Sequence, residues 1–156
     1  MSIFETQTDG LIHALGIDKS STSQAFDILE LGAGDGSKTL HLLRRLVWLK
    51  IDFEYHPGDI SQHFLDHLEK KLKVELPSLT VKKHQGEYFQ IMSKFNEMKE
   101  SKSRRNDGAH IVRNTIVLFL GSTIGNMSNK VSAFWAAIFI LKPNDITDRT
   151  IKFLLR

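Results

Sequence analysis

The run Phe26-Asp27-Ile28-Leu29-Glu30-Leu31 is rich in strand-forming residues, ends in an acid, and breaks at once into Gly32-Ala33-Gly34-Asp35-Gly36. Alternating glycines permit backbone conformations closed to other residues, so the strand must turn sharply there. Ser37 to Leu49 follows with Leu40, Leu43, Leu46 and Val47 at helical spacing, which predicts a helix leaving the turn. Strand, glycine turn and helix in that order bring the backbone close to a ligand, and the free amides of the helix start present positive partial charge to it. The expected ligand is a nucleoside-containing cofactor. A purely structural strand-to-helix turn is the alternative.

The spacing narrows the choice. The dinucleotide fingerprint G-x-G-x-x-G would put its third glycine at Ser37, whereas the glycine stands at Gly36. A second strand is predicted over Asp52 to Ile60, with Pro57 implying a terminus or an irregularity there. It delivers Asp59 to a strand end, where an acid can hold both hydroxyls of a ribose.

Composition excludes several classes. The chain has 156 residues, 41% of them hydrophobic, and no cysteine, so one domain with a real core is expected, without disulfides or thiolate metal sites. No apolar run is long enough to span a bilayer and no export signal opens the sequence, so no membrane association and a cytoplasmic location are expected. Much of the net charge of +3 comes from Lys94 to Arg113 and reads as a solvated connection. These cations do not alternate with aromatics and no base-flipping motif is present, so nucleic acid is not an expected partner.

Residues 1–25 predict one short helix around Leu11, Ile12, Leu15 and Ile17, then a linker; a frayed terminus is favoured over a segment lying across the ligand. A second helix is predicted over Ile60 to Leu72, capped by Ser61 and burying Phe64, Leu65, Leu68 and Leu72. His63 and His67 have metal-ligand spacing on it but no third partner, so no metal site is expected. Leu79 to His84 alternates as a third strand. Gln85-Gly86-Glu87-Tyr88-Phe89 then stands at its carboxyl end, where an acid can bond an adenine amino group and an aromatic can cover its face. The bland reading of the same residues is a turn and a helix start, with Phe89, Met92 and Phe95 buried. A helix to about Glu100 leads into the strongest loop candidate, Ser101 to Gly108. Thr115 to Leu120 predicts a strand covered on both faces, followed by the loop Gly121-Ser122-Thr123-Ile124-Gly125-Asn126 and a helix over Val131 to Leu141. Alternating strands and helices predict a doubly wound parallel sheet, first strand central, second and third on one side, fourth on the other, ligand across the reversal point.

Four motifs in this order resemble the histidine-specific S-adenosylmethionine (SAM)-dependent methyltransferases, which trimethylate the α-amino group of L-histidine in ergothioneine biosynthesis. Leu29 to Thr39 is similar to that family's cofactor loop, Pro57 to Ser61 to its second-strand acid motif, and Gln85 to Phe89 to its adenine-side loop. Phe119 to Asn126 is the most specific match. The similarity covers about Phe26 to Pro143. It implies a Rossmann-like class I methyltransferase fold, a three-layer sandwich with a mainly parallel sheet, over residues 26–145. Cofactor-binding Gly32, Gly34, Lys38, Asp59, Glu87, Tyr88 and Gly121 follow by position, with Lys38 and the loop glycines on the methionine and ribose side and Glu87 and Tyr88 at the adenine. Asn126 would reach the amino-acid substrate. The cofactor implied is S-adenosyl-L-methionine and the substrate a histidine-like amino acid.

Family members are longer, with further strands and an inserted substrate region, so the chain reads as truncated on its C-terminal side, with residues 146–156 a tail able to form a short strand. Gly58 stands where relatives commonly carry a larger apolar residue, which is expected to loosen the strand. No residue is assigned as general base. The competing expectations are an active N-methyltransferase, a SAM-binding module inactive alone, and, well behind, a nicotinamide-dependent oxidoreductase. If Thr150 to Leu155 does not pair with the edge of the fourth strand, that edge invites self-association.

Overall fold

The strand before the glycines, β1 (Ala25–Leu31), is buried along its whole length. Both of its faces are covered, and its neighbours pair on both sides. The computed structural model describes residues 8–14, 17, 25–104, 113–119 and 152–155. Besides β1, it contains α1 (Thr8–Ala14), α2 (Leu40–Trp48), β2 (Phe53–Asp59), α3 (Gln62–Glu75), β3 (Thr80–Val81), β4 (His84–Gln85), α4 (Tyr88–Arg104), β5 (Arg113–Phe119) and β6 (Lys152–Leu155). The sheet order is β3-β2-β1-β5-β6, with β4 also on β2, and every pairing is parallel. The expected α/β class, with β1 central and the chain order reversing beside it, is what forms.

Side-chain alternation along β1 divides the core in two. Phe26 and Ile28 face α2 and α3, packing with Leu43, Leu46, Leu68 and Leu72. Leu29 and Leu31 face α4, packing with Ile91, Met92 and Phe95. Each buried leucine or phenylalanine contributes on the order of 2 kcal/mol, so the two clusters outweigh the surface ion pairs as sources of stability. Residues near the amino terminus join the first cluster rather than fraying. Ile12 and Ile17 are buried in it, and Asp9 of α1 pairs with Arg45 of α2 at 2.7 Å.

Three boundaries differ from expectation. β2 runs straight through Pro57, and the irregularity falls on its partner. Tyr55 O accepts the Lys82 amide and Asp59 O the Gly86 amide, so Pro57 also faces that side, where its ring nitrogen has no hydrogen to give. The predicted third strand is accordingly split into β3 and β4, which keep one register across the gap. Further along, α4 continues to Arg104, through half of the stretch expected to be a loop. Gly58 does not loosen its strand. It is buried, and a Cβ there would lie 2.9 Å from Ile91 and 3.2 Å from Glu30 O, so the glycine is what lets α4 lie against β2.

On the other side of the sheet, Ile116 to Phe119 of β5 pair with Lys152 to Leu155 of β6. The edge that an isolated fourth strand would expose is therefore covered.

Candidate functional site

The carboxyl ends of β1 and β2 are laced together by backbone. The amides of Gly32 and Ala33 both donate to Gly58 O, at 2.8 and 3.1 Å. Asp59, ending β2, accepts from the Gly34 amide on one carboxylate oxygen (3.0 Å) and from the Ser61 amide on the other (2.9 Å). Ser61 in turn caps α3 by accepting from the Phe64 amide. Two amides fix the Asp59 carboxylate while leaving each oxygen a lone pair for a ligand. The glycine turn is held from below as well. Gly36 has φ +66°, and a Cβ there would fall inside the contact distance of the Leu68 methyl of α3, so only glycine fits.

In front of these strand ends lies a cavity of about 310 Å³, lined by Gly32, Asp59, Ile60, Gly86, Glu87, Tyr88 and Phe89. Four of the expected site residues, Gly32, Asp59, Glu87 and Tyr88, thus share one wall. Gly34 touches the site through Asp59. Lys38 is exposed and is not part of that wall. Gly121, Asn126, the loop that carries them and the helix expected over Val131 to Leu141 lie outside the described residues. Ile60 and Phe89 were missed by sequence reasoning. Phe89, which the bland reading buries beside Met92 and Phe95, is 41% exposed and lines the cavity, and Ile60 is 69% exposed. An apolar residue left in solvent directly after a strand-end acid was the available signal.

Beneath the turn is a buried carboxyl, the acid that heads the glycine motif, to which sequence reasoning gives no contact of its own. Glu30 accepts hydrogen bonds from Thr39 Oγ1 (2.6 Å) and from the Tyr55 hydroxyl (2.5 Å). Burial pushes its pKa up to about 7, the two hydroxyls drawing it only part of the way back. Burial likewise raises the Tyr55 hydroxyl, and the Glu30 charge adds to that. The acid ties the start of α2 to β2 under the glycines.

The opposite, amino-terminal edge of the sheet carries a second polar cluster. Ligand atoms of Asp27, Glu54 and His56 lie within 4.8 Å of one another, a spacing compatible with a metal ion. Cations already occupy it. Arg113 Nε stands 2.9 Å from Asp27 Oδ1, Lys99 Nζ 3.2 Å from Oδ2, and Lys82 Nζ 2.5 Å from Glu54 Oε2. Burial alone would raise the Asp27 carboxyl, but His56 and Lys99 hold it well below the usual carboxylate range. His56 Nε2 faces both carboxylates, at 3.8 Å from Asp27 and 3.5 Å from Glu54, and is buried without a hydrogen-bond partner among the described residues. Its Nδ1 shares a hydrogen bond with His84 Nε2 at 2.9 Å. This edge is a charge-neutralised anchor for the sheet.

A family model described as histidine-specific methyltransferase, SAM-dependent, matches residues 1–139. No curated protein sequence is significantly similar to the chain. Among solved structures, a candidate SAM-dependent methyltransferase of Methanococcus maripaludis is 16% identical with a TM-score of 0.52, over 89% of this chain and 50% of that one. A SAM-dependent methyltransferase of Clostridium acetobutylicum is 15% identical with a TM-score of 0.51, over 86% of this chain and 44% of that one. The chain thus spans about half the length of these two structures, whose likeness shows the fold. No helix among the described residues is long and apolar enough to cross a membrane.

Proposed function

From the premise that the chain belongs to the histidine-specific, SAM-dependent methyltransferase family, we propose that its strand-end cavity holds SAM and that the protein methylates the α-amino nitrogen of histidine or a related amino acid. The observation that carries the reading is Asp59, a strand-end carboxylate held by two amides with outward lone pairs on the cavity wall. A ribose diol is the group that such an acid takes. Glu87 is then in place for an adenine amino group, and the exposed side chains of Ile60 and Phe89 for the faces of the base. The cavity volume, about 310 Å³, falls at the small end of ligand sites.

Bound SAM supplies an electrophilic methyl group on a sulfonium. The chain's task is to hold that group and a neutral amine in line, since displacement at carbon draws most of its acceleration from position. Gly121 and Asn126 are proposed to complete the site, Gly121 beside the cofactor and Asn126 at the substrate's amino-acid end. The family description supports histidine as substrate, and with it a place in ergothioneine biosynthesis.

Calorimetric titration with SAM tests the reading, followed by mass spectrometry for methylated histidine. Asp59→Ala is expected to weaken SAM binding at least tenfold, the loss of a charge-assisted hydrogen-bond pair. Binding with methylated product establishes the transferase. Binding without product establishes the second reading, a cofactor module inactive alone. Folded protein that does not bind SAM overturns both.

A further inference from the structure

The strand order gives the cavity a direction. Glu87 and Phe89 follow β4, Asp59 ends β2, Gly32 follows β1, and β2 lies between the other two. With the ribose on Asp59 and the base toward β4, the 5′ carbon and the sulfur it bears lie toward β1, over Gly32. This step rests on the SAM-binding reading above.

Tyr88 adjoins Glu87 in sequence and the family resemblance implies it at the adenine as well, yet its side chain lies over the β1 end instead. Its ring packs edge-on against Phe119 of β5, with centroids 5.0 Å apart and planes at 76°. Its hydroxyl reaches 3.2 Å from the place a Cβ on Gly32 would take. A hydroxyl anchored through a packed ring, on the cavity wall and without a hydrogen-bond partner among the described residues, is fixed in place with its lone pairs uncommitted.

We propose that the Tyr88 hydroxyl reads the charge on the cofactor's sulfur, favouring the sulfonium of SAM over the neutral thioether of S-adenosylhomocysteine. Carbons bonded to a sulfonium carry polarised C–H groups, and a phenol oxygen is a fitting acceptor for them. The thioether lacks that polarisation, so the contact is lost once the methyl group has gone. Tyr88 is then a specificity-determining residue: it holds the reactive form of the cofactor and lets the spent form leave.

The test is calorimetric titration of wild type and Tyr88→Phe with SAM and, separately, with S-adenosylhomocysteine. The variant keeps the ring that packs on Phe119, and its melting temperature is expected to match the wild type. SAM affinity should fall about two- to fivefold while that for S-adenosylhomocysteine stays unchanged. An equal change for both ligands, or none for either, overturns the proposal and leaves the cofactor assignment standing. A wild type that binds neither ligand sinks the cofactor assignment itself and this inference with it. A second measurement needs no variant: SAM labelled with ¹³C at its three sulfur-bonded carbons should give a nuclear Overhauser contact between at least one of them and the Tyr88 ring in the wild-type complex, and bound SAM without any such contact also overturns the proposal.

Discussion

Two acids three residues apart on β1 titrate in opposite senses because they face opposite sides of the sheet. Asp27 points at cations, so its folded pKa is depressed; the stability it contributes is present above its ordinary value of 3.8 and is lost as pH falls through the depressed one. Glu30 points into an apolar layer, so its folded pKa, about 7, lies above the ordinary 4.5. Its native state costs nothing extra below pH 4.5 and loses stability as pH rises from there to about 7, by an amount on the order of 3 kcal/mol. Urea melts at about pH 5 and about pH 8 should show the wild type weaker at the higher value, and Glu30→Gln should flatten most of that difference. The sequence shows both acids in one strand; which one meets cations depends on Lys99 and Arg113, brought from α4 and β5. That information is long-range, and no local pattern holds it.

Elements were legible where one signal governed them. Glycine spacing and helical periodicity placed β1, its turn and α2, and Ser61 marked the start of α3 through a cap that forms as expected. Pro57 does mark an irregularity, but it falls on the neighbouring strand. A sequence shows that a donor is missing but not toward which neighbour the nitrogen points, and here it points at the third strand rather than ending the second. A measurable consequence lies in β4. Cut off from β3 by the gap, β4 is held to β2 by a short ladder of its own, with Gly86 donating to Asp59 O. Amide hydrogen exchange should therefore be faster at His84, Gln85 and Gly86 than at Ile28 and Leu29 of the fully paired β1. Equal protection would mean that the split has no energetic weight. The adenine-side wall of the proposed site hangs from this segment.

For the molecule as a whole, the class of fold and the edge at which the site lies could be read from motif order, because strand-end motifs in a parallel sheet all open on one edge. The pairing of β6 with β5 stands in the sequence only as one of two alternatives, since a four-residue strand far along the chain has no periodicity of its own to decide it. Removing residues 150–156 should bare the β5 edge and produce concentration-dependent association in sedimentation velocity, whereas the full chain should not associate by that route. The fit of Leu68 against Gly36 has a different kind of consequence. Leu68 is not among the residues lining the strand-end cavity and would be classed with the greasy interior, yet its methyl group is the floor on which the glycine turn rests. In a functional screen of substitutions, such a position scores like a ligand contact while never meeting the ligand, so the boundary of a binding site drawn from mutant phenotypes would extend a full layer deeper than the boundary drawn from touch.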